Sequence, residues 1–227
     1  MLNELNSTYV HSEWGGQQID LPAGKVVCVG RNYLMHIKEL NNAVPARPLL
    51  FIKPSTSLVT LSEALVVPRN QGECHNELEL AVLITKPLKN AEPEKVEQAI
   101  WGYGLALDLT LRDLQDELKR QGHPWERAKA FDGSCPMSPF VAKAKVKQQQ
   151  DVHFSLLVNG QVRQQGHSQD MLVSINDLLS EISQTFTLLP GDIVLTGTPK
   201  GVAALQQNEQ LNIRFEDFFS ISTRVVN

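Results

Sequence analysis

Three carboxylates offer the first chemistry. Glu77 and Glu79 stand two apart in ELELAVLIT, a run that begins in strict alternation and becomes continuously apolar, as a strand entering a core would. Residues two apart on a strand leave the same face with attachment points ~7 Å apart, so the pair can converge on one cation. Asp108 ends a separate apolar run, LALDLT, where a carboxylate without a partner is costly to bury. Three such ligands plus water or substrate would complete the octahedron that Mg²⁺ prefers at ~2.1 Å. Glu-x-Glu alone more often marks the solvent face of an edge strand, and Asp108 weakens that reading without removing it. His75 is in phase with both glutamates, yet one neighbouring imidazole is more often structural than a ligand.

His36 and Glu39 form a second constellation, three apart on a short helix and so on one face. A carboxylate beside an imidazole fixes its tautomer and raises its basicity, which makes a base able to take a proton from water. An incidental surface pair would carry the same spacing. Lys129 follows the turn Gly122–Pro124. Its ammonium could hold a substrate carboxylate or a developing enolate, although a lone lysine is ordinarily just solvated. The turn TGTPKGV, residues 196–202, could present backbone N–H groups and the Thr198 hydroxyl to an anion. It lacks the Walker A spacing, no GxSxG elbow occurs, and Gly30 lacks the rest of a dinucleotide fingerprint.

These residues need elements to hold them. Strands are expected over residues 25–30, 49–53, 77–85, 102–109 and 192–196, and again after residue 211. Helices are expected over 32–40, 93–101, 111–121 and 174–186, the last capped by Ser174. Asn159-Gly160 between two short strand-like runs is a strong hairpin signal. The first twenty residues read as an edge segment or small hairpin turning at Gly15-Gly16. Strands outnumber helices without regular alternation, which disfavours a doubly wound sheet or a TIM barrel and predicts an α+β fold with a curved, mostly β core.

At 227 residues with no low-complexity linker or internal repeat, the chain reads as one catalytic domain over residues 1–227. A net charge of −4 with only short basic clusters argues against a nucleic-acid or membrane surface. Three widely spaced cysteines and no CxxC point to structural thiols in a reducing compartment. No secretory leader or membrane-spanning apolar run is present, so a cytoplasmic location is expected.

Six segments carry a resemblance. GRNYLMHIKEL, LLFIKPST, HNELELAVLI, the long stretch from residue 102 to 136, LVNGQVRQQG and LPGDIVLTGTPKGV follow one another as in the fumarylacetoacetate hydrolase family. The chain looks most like that family's acylpyruvase and oxaloacetate decarboxylase branch. The resemblance implies a mixed β-roll with short peripheral helices, usually a homodimer, acting on a small 2-oxo acid with Mg²⁺ or Mn²⁺. It implies Glu77, Glu79 and Asp108 as metal ligands and His36 with Glu39 as a water-activating dyad. Lys129 would be catalytic, with Arg31, Gln115 and Thr198 around the substrate. The expected reaction is C–C hydrolysis of a 2,4-dioxo acid to pyruvate and a carboxylic acid. Oxaloacetate decarboxylation ranks second, isomerisation of a dienoate third, and a non-catalytic binding protein last. The tail RFEDFFSIS departs from the family in lacking a glycine-bearing hairpin.

Overall fold

Apolar runs as long as LELAVLI are stable as strands only when both faces of the sheet are covered, and that requirement organises the molecule. The computed structural model describes residues 9–62 and 64–226. At its centre lies a mixed sheet in the order Leu49–Lys53, Val26–Gly30, Ile193–Leu195, Leu78–Ile84, Ile100–Leu107, Cys135–Met137 and Leu58–Thr60, with Val141–Ala142 also pairing Ile100–Leu107. Every residue of Leu78–Ile84 is buried. Leu80, Val82 and Ile84 enter one core while Ala81 and Leu83 enter another on the opposite face.

The larger core lies between this sheet and a second one, ordered Gln161–His167, His153–Val158, Gln210–Phe215, Phe219–Val226 and Leu65–Val66. Phe154, Leu156, Ile213 and Phe215 fill it, together with Ile175, Leu178, Leu179 and Ile182 of the helix Ile175–Thr185. Ser174 caps that helix, its hydroxyl accepting from the Asp177 N–H at 3.3 Å. A small third sheet joins Ala203–Ala204, Cys74–Asn76 and Thr110–Leu111. The architecture is α+β, a mixed β-roll with short helices at its edge.

Most expected elements form close to their expected bounds. The exception is residues 93–101. One α-turn, Pro93–Val96, passes into a 3₁₀ turn, Glu97–Ala99, and a strand starts at Ile100. Ile100, Trp101 and Tyr103 favour extended backbone, and pairing with Leu78–Ile84 draws them out of the helix. The Asn159-Gly160 hairpin forms with φ of 50° and 80°, as a tight turn of the primed type demands. Its second strand runs on to His167, past polar residues of low strand propensity, because it stays paired with His153–Val158. In the tail Asp217 takes φ 57°, the left-handed place where a glycine was expected. Cys28, Cys74 and Cys135 are buried free thiols. Among the described residues no helix is long and apolar enough to cross a membrane.

The expected N-terminal hairpin falls partly on residues 1–8, outside the described residues. Beyond them, Ser12 bridges Gln18 around Gly15 and Gly16. Ile19 enters the smaller core. His11, fully buried, anchors this segment by donating from Nε2 to Gly191 O at 3.0 Å and Pro22 O at 3.2 Å. Burial holds His11 below its ordinary value of 6.5. As pH falls through that value the unfolded chain takes up a proton that the folded chain resists, so His11 costs stability below about pH 6.5 and nothing well above it. His11→Gln should therefore reduce the loss of stability between pH 7.5 and pH 5.5, by up to about 1.4 kcal/mol per pH unit. Urea midpoints at the two pH values measure this, and an unchanged difference in the variant would refute it.

Candidate active site

The strand pair Leu78–Ile84 and Ile100–Leu107 sets the site. Leu78 pairs Leu107 and Glu79 pairs Ala106. One step beyond, the Asp108 N–H donates to Glu77 O at 2.8 Å. Asp108 is thus laid across from Glu77, with Glu79 two residues along the same face. The three carboxylates offer oxygens that all lie within 4.8 Å of one another. Their exposures are 6%, 2% and 1% for Glu77, Glu79 and Asp108, which removes the reading of a solvent-facing edge strand.

Three buried cations surround them. Lys129 Nζ lies 2.7 Å from Glu77 Oε2 and 2.6 Å from Asp108 Oδ2. Arg112 Nη2 pairs with Glu77 Oε1. Lys53 Nζ stands 2.8 Å from Asp108 Oδ1, but its protons go to Ser134 O and Oγ, both at 3.0 Å, and to Lys129 O. Asp108 Oδ1 is consequently buried beside a cation without receiving a hydrogen bond. Glu79 is different again. Its Oε2 accepts from the Gly197 N–H at 2.6 Å, and among the described residues it has no ion-pair partner.

These partners set the charge states. Burial alone would raise Glu77, but Lys129, Arg112 and His36 hold it well below the usual carboxylate range. Burial, and then the negative charges of Asp108 and Glu77, push Glu79 well above that range. Burial would lower Lys129, yet Asp108 and Glu77 keep its ammonium firmly charged. The set therefore fits a divalent cation. All its donors are carboxylate oxygens, as hard ions prefer. Asp108 Oδ1 lacks a hydrogen bond, and Glu79 is a carboxyl that only a nearby positive charge would keep ionised.

Of the remaining expected residues, His36, Lys129, Arg31, Gln115 and Thr198 line the same cavity, ≈ 40 Å³ in volume, with Arg112 and Lys119, whereas Glu39 does not line it. His36 sits on the helix Leu34–Glu39. Asn32 pins the start of that segment by donating to Thr196 O at 2.9 Å and Val173 O at 3.1 Å. His36 Nδ1 stands 3.5 Å from Glu39 Oε2, an ion-pair distance that makes no hydrogen bond. The Glu39 carboxylate instead accepts from the Gly201 N–H at 2.9 and 3.1 Å. Burial lowers His36 below the ordinary imidazole value, against the opposing pull of Glu77 and Glu39.

The turn expected to face an external anion serves the chain's own carboxylates, Gly197 holding Glu79 and Gly201 holding Glu39. Gly197 adopts φ 97°, and a Cβ there would come within 2.8 Å of Asn32 Cβ, so the close approach requires glycine. The Thr198 hydroxyl donates to Leu78 O at 2.9 Å and accepts from Gln164 Nε2 at 2.8 Å. Gln115 Oε1 accepts from Arg112 at 2.6 Å and from Lys119 at 3.2 Å. Arg31 takes φ 64°, a conformation that costs a non-glycine residue about 1–3 kcal/mol. It donates to Asn42 Oδ1 at 2.8 Å and Ala43 O at 3.3 Å. His75 lies outside the triad, 3.0 Å from Glu73 and 3.4 Å from Arg112 Nε.

Sequence reasoning missed Lys53 and Arg112. The one signal for Lys53 was its position closing the apolar run LLFI, where a solvated lysine would be out of place.

A β-roll that gathers three buried carboxylates beside a buried lysine has a group that could hold a metal ion. Residues 25–226 match the family model described as fumarylacetoacetate (FAA) hydrolase C-terminal. The chain belongs to that family, and it is an enzyme. It is 51% identical over 219 residues to the oxaloacetate tautomerase YcgM of Escherichia coli (strain K12), covering 96% of this chain and all of that one. It is 39% identical over 213 residues to the mitochondrial oxaloacetate tautomerase FAHD1 of Homo sapiens, covering 94% and 93%. It also superposes on a crystal structure of fumarylpyruvate hydrolase from Pseudomonas aeruginosa in complex with Mn²⁺ and pyruvate. There the TM-score is 0.90 at 34% identity, covering 97% of each chain.

Two substitutions test the charge balance. Glu79→Gln mimics a protonated Glu79 and keeps an acceptor for Gly197, so in EDTA its Tm should stay within a few degrees of wild type. Mn²⁺ should raise the Tm of wild type and leave that of the variant unchanged. Lys53→Met leaves Asp108 short of a buried partner and should cost about 3–5 kcal/mol, read as a lower denaturant midpoint in EDTA. A Glu79→Gln variant that Mn²⁺ stabilises as wild type does, or a Lys53→Met variant of unchanged stability, would contradict this electrostatic picture.

Proposed function

We propose that this chain is a divalent-metal-dependent enzyme acting on oxaloacetate, interconverting its enol and keto forms through the enolate. The observation that carries the reading is the convergence of Glu77, Glu79 and Asp108 beside Lys129 in one buried cavity, with Arg31 free of ion pairs among the described residues. Two relatives named oxaloacetate tautomerase, at 51% and 39% identity, support the substrate. So does a 34%-identical structure holding Mn²⁺ and pyruvate, itself a 2-oxo acid.

Glu77, Glu79 and Asp108 would hold Mg²⁺ or Mn²⁺. Once bound, that ion supplies a Lewis acid that polarises the 2-oxo group and acidifies the neighbouring C–H. The chain's own groups do the rest. His36, its proton affinity lowered by burial, takes the C3 proton in one direction and returns it in the other, while the enol oxygen gains or loses its proton to water. Glu39 steadies the ring from 3.5 Å. The Lys129 ammonium faces the charge that develops on the 2-oxo oxygen. Arg31 and Gln115 receive the distal carboxylate, and Thr198 holds the wall of the cavity through Leu78 and Gln164.

Loss of CO₂ from oxaloacetate leaves a pyruvate enolate beside the same lysine, so decarboxylation is a second outlet of this site. Hydrolysis of an acylpyruvate, the reading the sequence ranks first, is favoured by one observation only: His36 lines the cavity with Glu39 3.5 Å from its ring, where it could activate water. The two tautomerase relatives move oxaloacetate ahead of it.

The test compares three reactions on one protein: enol–keto exchange of oxaloacetate, pyruvate release from oxaloacetate, and acylpyruvate cleavage. EDTA should abolish all three and Mn²⁺ should restore them. His36→Ala should slow exchange and hydrolysis by the ~10²–10⁴-fold typical of a lost general base, and decarboxylation much less. Lys129→Ala should depress all three. Exchange at the wild-type rate in His36→Ala would sink the proposed base, and exchange indifferent to EDTA would sink the metal.

A further inference from the structure

We propose a second metal site, of the zinc class, at the open end of the His153–His167 hairpin. His153 and His167 are cross-strand partners, directly opposite in the pairing of His153–Val158 with Gln161–His167. Asp151 lies two residues before the first strand. Its Oδ1 stands 3.0 Å from His167 Nε2 and 3.5 Å from His153 Nε2. Ligand atoms on a tetrahedral ion at ~2.05 Å stand about 3.3 Å apart, so the Asp151 oxygen already stands near that spacing from each imidazole nitrogen, and all three atoms lie within 4.8 Å of one another.

The donor types choose the ion. Two imidazoles and one carboxylate suit Zn²⁺, and Ni²⁺ or Cu²⁺ in vitro, whereas the all-carboxylate triad suits Mg²⁺ or Mn²⁺. Glu216 Oε1 stands 4.0 Å from His153 Nδ1, on the side of the ring away from Asp151. A carboxylate there orients a ligating imidazole and raises its basicity. The two rings are stacked, centroids 3.9 Å apart and planes 12° from parallel. Coordination would splay them, and side chains 43% and 23% exposed are free to turn. None of the three residues lines the active-site cavity. The site clamps the end of a strand whose Gln164 holds Leu78 N–H at 2.9 Å and Thr198 at 2.8 Å.

The measurement is calorimetric titration of Zn²⁺ into untagged full-length protein at saturating Mg²⁺, which occupies the carboxylate triad. Wild type should bind one Zn²⁺ per chain and gain Tm. His153→Ala and His167→Ala should each weaken that binding at least about tenfold. Their Tm in EDTA, matching wild type, would show that both fold. Glu79→Gln, crippled at the triad, should keep the zinc stoichiometry. Zinc binding lost in Glu79→Gln, unaltered in both histidine variants, or absent from wild type would each overturn the proposal. None of these outcomes touches the reading of the catalytic site.

Discussion

The structure depends on keeping three carboxylates within 4.8 Å of one another inside a protein. At an effective dielectric of ~20, two unit charges that far apart repel by about 3 kcal/mol, and three ionised pairs would strain a domain whose whole stability is about 5–15 kcal/mol. The fold relieves this in two ways. Lys53, Arg112 and Lys129 place positive charge against Glu77 and Asp108. Glu79, which has no such partner among the described residues, is pushed toward its neutral form.

Such a network tolerates little movement, because a buried charge that loses its partner is far costlier than a surface one. The scaffold is accordingly rigid where the charges sit. Two adjacent strands, buried on both faces, fix Glu77, Glu79 and Asp108 by register alone. The cations arrive from three other elements: the end of Leu49–Lys53, the first residue of Arg112–Gln121 and the last of Glu126–Lys129. Lys53 ties them together, since its ammonium also holds the backbone carbonyls of Lys129 and Ser134. The residue beside the carboxylate is in this way also the one that fixes the backbone of Lys129.

Much of this was legible in the residues. Period-two alternation turning into an unbroken apolar run placed Glu77 and Glu79 on one face of a strand that enters the core, without deciding whether that face is buried, and Asn-Gly placed the hairpin. What the residues could not carry was non-local. Register between residues 78 and 107 is a tertiary fact, so spacing alone could not bring Asp108 to the glutamates. Residues 93–101 read as helix because propensity competes locally, and strand pairing reversed it from Ile100 onward. Lys53 and Arg112 escaped because cations are usually solvated, and only a buried carboxylate opposite explains why these are not. The resemblance to a known family supplied what spacing left open. Nor did the residues show that the turn after Leu195 donates its Gly197 and Gly201 N–H groups to Glu79 and Glu39.

The charge inventory also bears on the proposed substrate. Counted as ionised, Glu77, Glu79 and Asp108 balance Lys53, Arg112 and Lys129 charge for charge. A dication in the triad would then leave two positive charges in excess. A buried excess of that size is itself costly unless an anion of matching charge enters with it. Oxaloacetate carries two carboxylates and cancels it, whereas a simple acylpyruvate carries one and leaves a charge uncompensated. Arg31 and Lys119 also line the cavity and add positive charge to its wall. The electrostatics therefore support the proposed dicarboxylic 2-oxo acid over a monocarboxylic one.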